Sequence, residues 1–224
     1  IIDLPLNQPP FNASPLHKDL FVEVDYMQTT HHSHKPDDLA IQDVTNAFSS
    51  SPVNNPDGID GVALHVMVDE AVPEIAPILF LYRGAGSNDD FDDIKSNYFG
   101  TQTDRVSTNN ARILAARKLA FRYAVYGHDH AHLLGSSGIA ELPGNDFMVT
   151  LGSWSASAIQ AGGGQRAVEA GTFMHELGHT LGLRHGGEDN INCKPNYLSI
   201  MNYSRQLKNV IPTRRLDYSN SVIA

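Results

Sequence analysis

His175-Glu176-Leu177-Gly178-His179-Thr180-Leu181-Gly182-Leu183-Arg184-His185 is the stretch from which the rest of the chain is read. Residues four apart on an α-helix lie about 40° apart on one face, so His175 and His179 can turn two imidazoles toward one ion. Glu176 is rotated away from that ion but stays beside its coordination sphere. This position suits a general base acting on metal-bound water better than a ligand. Gly182 has separate work. A continuing helix would carry His185 past the metal. A glycine takes positive φ without a Cβ penalty, ends the helix and swings the chain back, so that His185 arrives as the third ligand. Three nitrogens leave the fourth tetrahedral position of a zinc ion open, the pattern of a catalytic site rather than a closed structural one. The competing reading is a helix that carries surface histidines, and the full HExxHxxGxxH spacing makes it a weak rival.

With these residues in place the chain resembles the metzincin clan of zinc endopeptidases. The other half of that signature is a methionine turn, and Ser199-Ile200-Met201-Asn202-Tyr203 is similar to it. The resemblance implies an α/β (α+β) catalytic domain. It would have a twisted, mostly parallel sheet, an antiparallel strand at the cleft edge, an active-site helix and an irregular C-terminal subdomain. On this plan residues 1–182 form the upper subdomain with the zinc helix, and 183–224 the lower one with the third histidine. The resemblance makes Met201 an apolar floor beneath the histidines and Tyr203 a stabiliser of the oxyanion. It further implies secretion as a zymogen. The helix wording is nearest to serralysins and matrixins. Gly186 and Gly187 after the third histidine depart from the familiar subfamilies, and the segment Asn192–Tyr197 is not typical of matrixins, so no subfamily is assigned.

Composition bounds the same reading. The chain has 224 residues, enough for one sizeable core. Its 41% hydrophobic and 18% charged residues fit a soluble globular domain, and no apolar stretch approaches the length of a membrane span. A formal net charge of −9 argues against nucleic acid as a partner and leaves carboxylates for calcium. Cys193 is the single cysteine, so there is no internal disulfide framework, and a buried, inert thiol is expected there. The first residue is Ile1, and no signal peptide is visible, as in a mature or excised catalytic domain.

Along the chain, residues 1–18 hold four of the twelve prolines and read as an extended leader. Asp19–Tyr26 alternates as a strand. Pro36 opens a helix running to about residue 50. Gly61–Val68 is a second strand, with Val62, Leu64, Val66 and Val68 on one face. Asn54–Gly61 has calcium-loop chemistry without the full pattern, and a plain turn is expected. The acidic run Asn88–Asp93 has the same calcium-loop ambiguity, with a solvated loop as its plain reading. Asn109 or Asn110 caps a helix to about Leu119, and Phe121–Tyr126 is the third strand. Gly138–Leu142 is the strand bordering the cleft, where the resemblance implies antiparallel pairing with an extended substrate. Asp146–Leu151 is the next strand. The zinc helix starts near Gln165, and Phe173, Met174, Leu177 and Leu181 bury its other faces.

Two further histidine groups stand out. His128, His130 and His132, with Asp129, follow the third strand near the place where matrixins hold a structural zinc. The following strands lack the histidines that such a site needs, so loop histidines are expected. His31, His32 and His34 form another cluster before the first helix; adventitious metal binding is the alternative there, and a solvated loop is expected. Asp217-Tyr218-Ser219 is a candidate buttress beneath the site, and Leu207–Leu216 a candidate wall of the specificity pocket.

The expected function is that of a secreted, monomeric zinc endopeptidase acting on extended protein or peptide substrates. His175, His179 and His185 would hold the metal, and Glu176 would activate the water. Two alternatives stay open: a secreted binding or adhesion module with a structural zinc, and a zinc amidase acting on cell-wall peptides. Glu176 weighs against the first, because a structural site does not need it. Gly182 and His185 weigh against a thermolysin-like arrangement.

Overall fold

The computed structural model describes residues 4–80 and 89–219. Ile1–Asp3 of the leader and Asn88 of the acidic run lie outside the described residues. The elements run β1 (Asp19–Gln28), α1 (Asp38–Ser49), β2 (Ala63–Pro73), α2 (Asp90–Tyr98), α3 (Gln102–Val106), α4 (Asn110–Ala120) and β3 (Phe121–Gly127). They continue with β4 (Gly138–Ala140), β5 (Asp146–Thr150), α5 (Ala156–Ala161), α6 (Gln165–Thr180) and α7 (Tyr203–Gln206). The strands form one five-stranded sheet in the order β2-β1-β3-β5-β4. All neighbours are parallel except β4, which pairs antiparallel with β5 at the edge. This is the mixed α/β sheet expected from the sequence.

Side chains alternate across the strands, and both faces are covered. On one face Val22, Val24, Ala124, Phe147 and Val149 pack against Ala40, Val44 and Phe48 of α1 and Phe173, Met174 and Leu177 of α6. On the other, Phe21, Tyr123, Val125 and Met148 pack with Phe91 and Ile94 of α2 and with Phe99. The alternation of β1 therefore hides two fully buried carboxylates. Glu23 is held by Arg117 and by the backbone N–H of Gly100, 2.6 Å away. Asp25 accepts a 2.6 Å hydrogen bond from the Tyr123 hydroxyl. A buried carboxyl is tolerated where its oxygens are hydrogen-bonded in this way.

Several boundaries differ from the sequence reading for identifiable reasons. α1 begins at Asp38, not at Pro36. The Asp37 carboxylate accepts from the N–H groups of Leu39 and Ala40, so Asp37 is the N-cap and Pro36 stands outside the helix. The acidic run is not a solvated loop: Asp89 caps α2 by accepting from Asp92 N, and Phe91 and Ile94 are buried beneath it. β2 continues to Pro73 because β1 pairs along its whole length. Asn54–Gly61 is a turn closed by its own polar groups, with the Asn55 amide donating to the carbonyls of Ile59 and Gly61.

The sheet presents α6 across β4 and β5. α6 follows Gly164 at φ +87° and is buried from Val168 to Thr180, so its histidines emerge from the interior of the molecule. Leu181 is the exception among its expected core positions. It is 39% exposed because it caps the helix rather than continuing it.

Candidate metal centre

α6 ends in a backbone motif that explains the position of the third histidine. Gly182 has φ +90°. Its N–H donates to His179 O at 2.8 Å, and the N–H of Leu183 donates to Gly178 O at 3.0 Å. These paired bonds make a Schellman turn, which requires the left-handed conformation at the residue after the cap. The reversed chain then tightens again. Arg184 bridges Gly187, and the N–H of Gly186 donates to Asp189 O. A Cβ on Gly186 would stand 2.1 Å from the Asp189 carboxylate and 2.4 Å from Ile191 O. The Gly186-Gly187 pair is thus the local solution that sets His185 facing α6.

The three imidazoles converge. His179 Nε2 lies 3.2 Å from His175 Nε2 and 3.1 Å from His185 Nε2. His175 Nδ1 donates to Ile200 O at 2.9 Å, and His179 Nδ1 donates to Leu183 O at 2.9 Å. The proton on both rings is therefore at Nδ1, and the Nε2 lone pairs face the common point. Burial lowers His179 to about 4, pushes His175 well below the usual imidazole range and lowers His185 as well. All three are neutral near pH 7, as metal ligands must be. Two nitrogens each bound at about 2.0–2.1 Å to a tetrahedral ion lie about 3.3 Å apart. The observed separations meet that value closely. Three lone pairs this near one another repel unless a cation accepts them, so the donor set fits zinc.

Glu176 is buried beside them, and burial pushes its carboxyl up to about 8. It lies directly under the edge strand: a Cβ on Gly138 would come within 2.7 Å of Glu176 Cγ.

The profile of the family described as Metallo-peptidase family M12B Reprolysin-like matches residues 86–186, a span that contains the three histidines, Glu176 and Gly182. That match, over a little under half of the chain, makes it a zinc metallopeptidase. No curated protein sequence matches it. Among solved structures it is similar to archaemetzincin from Methanopyrus kandleri, with a TM-score of 0.45 and 13% identity over 93% of this chain and 92% of that one. It is also similar to archaemetzincin from Archaeoglobus fulgidus complexed with malonate, with a TM-score of 0.42 and 14% identity over 90% of this chain and 96% of that one.

The chain after the third histidine closes the centre from beneath. Met201 is fully buried against Gly178 of α6, where a Cβ would stand 2.3 Å from the Met201 sulfur. The backbone N–H of Ile200 donates to Asp217 O, and the Tyr218 hydroxyl donates to Met174 O at 2.6 Å. The 217–219 segment therefore does sit beneath the helix, through a backbone carbonyl and a phenol rather than through acidic side chains. Tyr203 starts α7, its ring 4.5 Å from that of His185 and 5.5 Å from that of His175, and 51% of it is exposed. It flanks the ligands from the solvent side.

Other expectations need correction. Cys193 is exposed, at φ +58°, and is not a buried thiol. Lys208, Arg214 and Leu216 line a cavity of about 380 Å³ together with Asp43, Arg166 and Ala167. These three residues of the 207–216 segment thus face the first half of α6, away from the histidine ligands. The histidines after β3 do not act as a group. His130 is buried, with Nε2 donating to Phe80 O, and its Nδ1 accepts from His132 N. His32 and His34 are not simply solvated, since both reach Glu74 at 2.6 and 2.9 Å. The carbonyls of Leu183 and Ile200 carry no residue-type signal, which is why their part in orienting the ligands is not legible in the sequence.

Proposed function

We propose that this zinc metallopeptidase is a secreted, monomeric endopeptidase of the metzincin clan in which His175, His179 and His185 hold the catalytic zinc and Glu176 is the general base. The observation that carries this reading is the buried Glu176 carboxyl beneath an edge strand, next in the chain to the first of three convergent imidazoles. Bound there, zinc supplies Lewis acidity and acidifies a water at neutral pH. Glu176 takes a proton from the water as its oxygen attacks the scissile carbonyl carbon. The carboxyl then carries that proton to the amide nitrogen as the C–N bond breaks. Burial raises the carboxyl, and a dication held beside it would favour the ionised form that accepts the proton. The Tyr203 hydroxyl is the donor available to the carbonyl oxygen as it gains charge. Met201 serves as the floor of the methionine turn and Gly182 as the hinge that delivers His185. Secretion rests on the resemblance of the motif pair alone.

The outer edge of β4 supports an extended substrate. β4 pairs with β5 on one side only and lies over Glu176, so a peptide can add to it as an antiparallel strand and pass the reacting groups. An extended peptide of about eight residues should then be cut internally with a kcat/KM at least about 100-fold above that of a dipeptide amide carrying the same bond. Competition kinetics on the pair tests this. Equal values would remove the edge strand from substrate binding.

A further inference from the structure

A second cluster of metal-binding side chains lies at the carboxyl end of the parallel strands. His32 and His34 follow β1, Glu74 follows β2 and His128 follows β3. Each offers a ligand atom, and the four atoms lie within 4.8 Å of one another. The cluster is assembled from three segments that are distant in sequence and adjacent in the sheet. β1 connects outward to β2 on one side while β3 lies on its other side, so the crevice between their carboxyl ends is a switch point of the sheet, where parallel sheets place ligands.

The side chains are positioned rather than loosely gathered. A tight reversal, with Gln28 bridging Ser33 and the N–H of His34 donating to Met27 O, aims His32 and His34 to the same side. His32 Nε2 and His34 Nε2 stand 2.6 and 2.9 Å from the same oxygen of Glu74. His32 Nδ1 is 3.3 Å from the Thr29 hydroxyl, the outer hydrogen bond that commonly orients a metal-binding imidazole. The His128 ring stands 5.6 Å from that of His32 and 5.3 Å from that of His34. Its Nδ1 is buried and has no hydrogen-bond partner. A Cβ at Gly152 would come within 2.5 Å of this nitrogen, so glycine there is what allows the ring its position.

An ion pair with Glu74 does not account for this arrangement. Glu74 meets His32 and His34 through one oxygen, and the pair leaves His128 Nδ1 buried without a partner. Neutral rings could donate twice to Glu74, but that would leave His128 without a role and with an unsatisfied nitrogen. A divalent cation gives His128 a role beside the other three side chains, since its ligand atom lies within 4.8 Å of theirs.

We propose that His32, His34, Glu74 and His128 form a second zinc site, distinct from the His175–His179–His185 centre, that clips the ends of β1, β2 and β3 together. Three imidazoles and one carboxylate complete a four-coordinate shell, so the site is structural and leaves no position for substrate. It also has a route to the peptidase helix. The segment that carries His32 and His34 runs into Asp37, whose N–H donates to Glu169 of α6 at 2.7 Å.

Zinc content of the tag-free full chain tests the proposal, read by elemental analysis after saturation with zinc and desalting. The wild type should hold two zinc ions per chain. His175→Ala/His179→Ala should hold one, and its melting temperature should rise on adding zinc. His34→Ala/His128→Ala should also hold one, and the variant with all four changes none. Cobalt added to the His175→Ala/His179→Ala protein should give the visible bands of a four-coordinate ion, and these should vanish with the further loss of His34 and His128. A wild type that saturates at one zinc, or a folded His34→Ala/His128→Ala protein that keeps two, overturns the proposal. If that variant does not fold, the His175→Ala/His179→Ala protein decides alone, since no retained zinc and no cobalt bands there also overturn it.

Discussion

Glu176→Ala should lower kcat toward peptides by about 10²–10⁴-fold while zinc stays bound, the range attributed to a positioned general acid–base. The split between chemistry and metal follows from the geometry. The proposed zinc ligands His175 and His179 are oriented by Ile200 O and Leu183 O, and neither of those contacts passes through Glu176. The carboxyl is buried at the junction of α6 and β4, so its removal takes away the group that accepts the proton and leaves the helix otherwise intact. KM should change little if substrate is held chiefly along the edge strand. The check is a kinetic constant paired with a zinc assay on the same preparation. Retained kcat would mean that another group moves the proton, and lost zinc would mean that Glu176 is needed to build the site.

His179→Ala should fail in the opposite way, losing the metal first and activity as a consequence. His179 is the middle imidazole of the proposed ligand set, its Nε2 3.2 Å from His175 Nε2 and 3.1 Å from His185 Nε2, and its Nδ1 is tied to the turn that brings His185 back. Loss of a residue that merely orients a ligand typically weakens metal binding about 10–100-fold. Loss of the ligand itself should exceed that, and peptide cleavage should fall to background at zinc concentrations that saturate the wild type. A competition titration with a colorimetric zinc chelator measures this directly. Wild-type zinc affinity in the variant would show that His179 is not a ligand. Any zinc that the variant does retain should resist removal of the His175–His185 pair and depend instead on His34 and His128.

The catalytic centre was legible because its chemistry is local. His175, Glu176 and His179 share one helix, and Gly182 has a conformational task that few residues can perform. The geometry supplies the Schellman turn that the glycine implied. The sheet was legible from period-two alternation, and its edge strand Gly138–Ala140 falls within the expected segment. What escaped reading depends on distant partners. The acidic segment of α2 looks solvated until Phe91 and Ile94 are seen filling the far face of the sheet. The alternation of β1 does not mark Glu23 and Asp25 as buried, because their partners Arg117 and Tyr123 come from α4 and β3. The same limit hid the second histidine cluster. His31–His34 and His128–His132 read as two separate loops, and nothing in either marks Glu74 as the residue that joins His32, His34 and His128. Cys193 and the 207–216 segment lie in irregular chain, where no periodicity indicates which way a side chain faces.

Digestion of a broad peptide library by the zinc-loaded protein, beside the same protein treated with a chelator and then reloaded, tests the central claim most directly. The account predicts internal cleavage of extended peptides that disappears with the metal and returns with zinc. Fully zinc-loaded, folded protein that cuts no peptide in the library, or cutting that persists after the metal is removed, would contradict it.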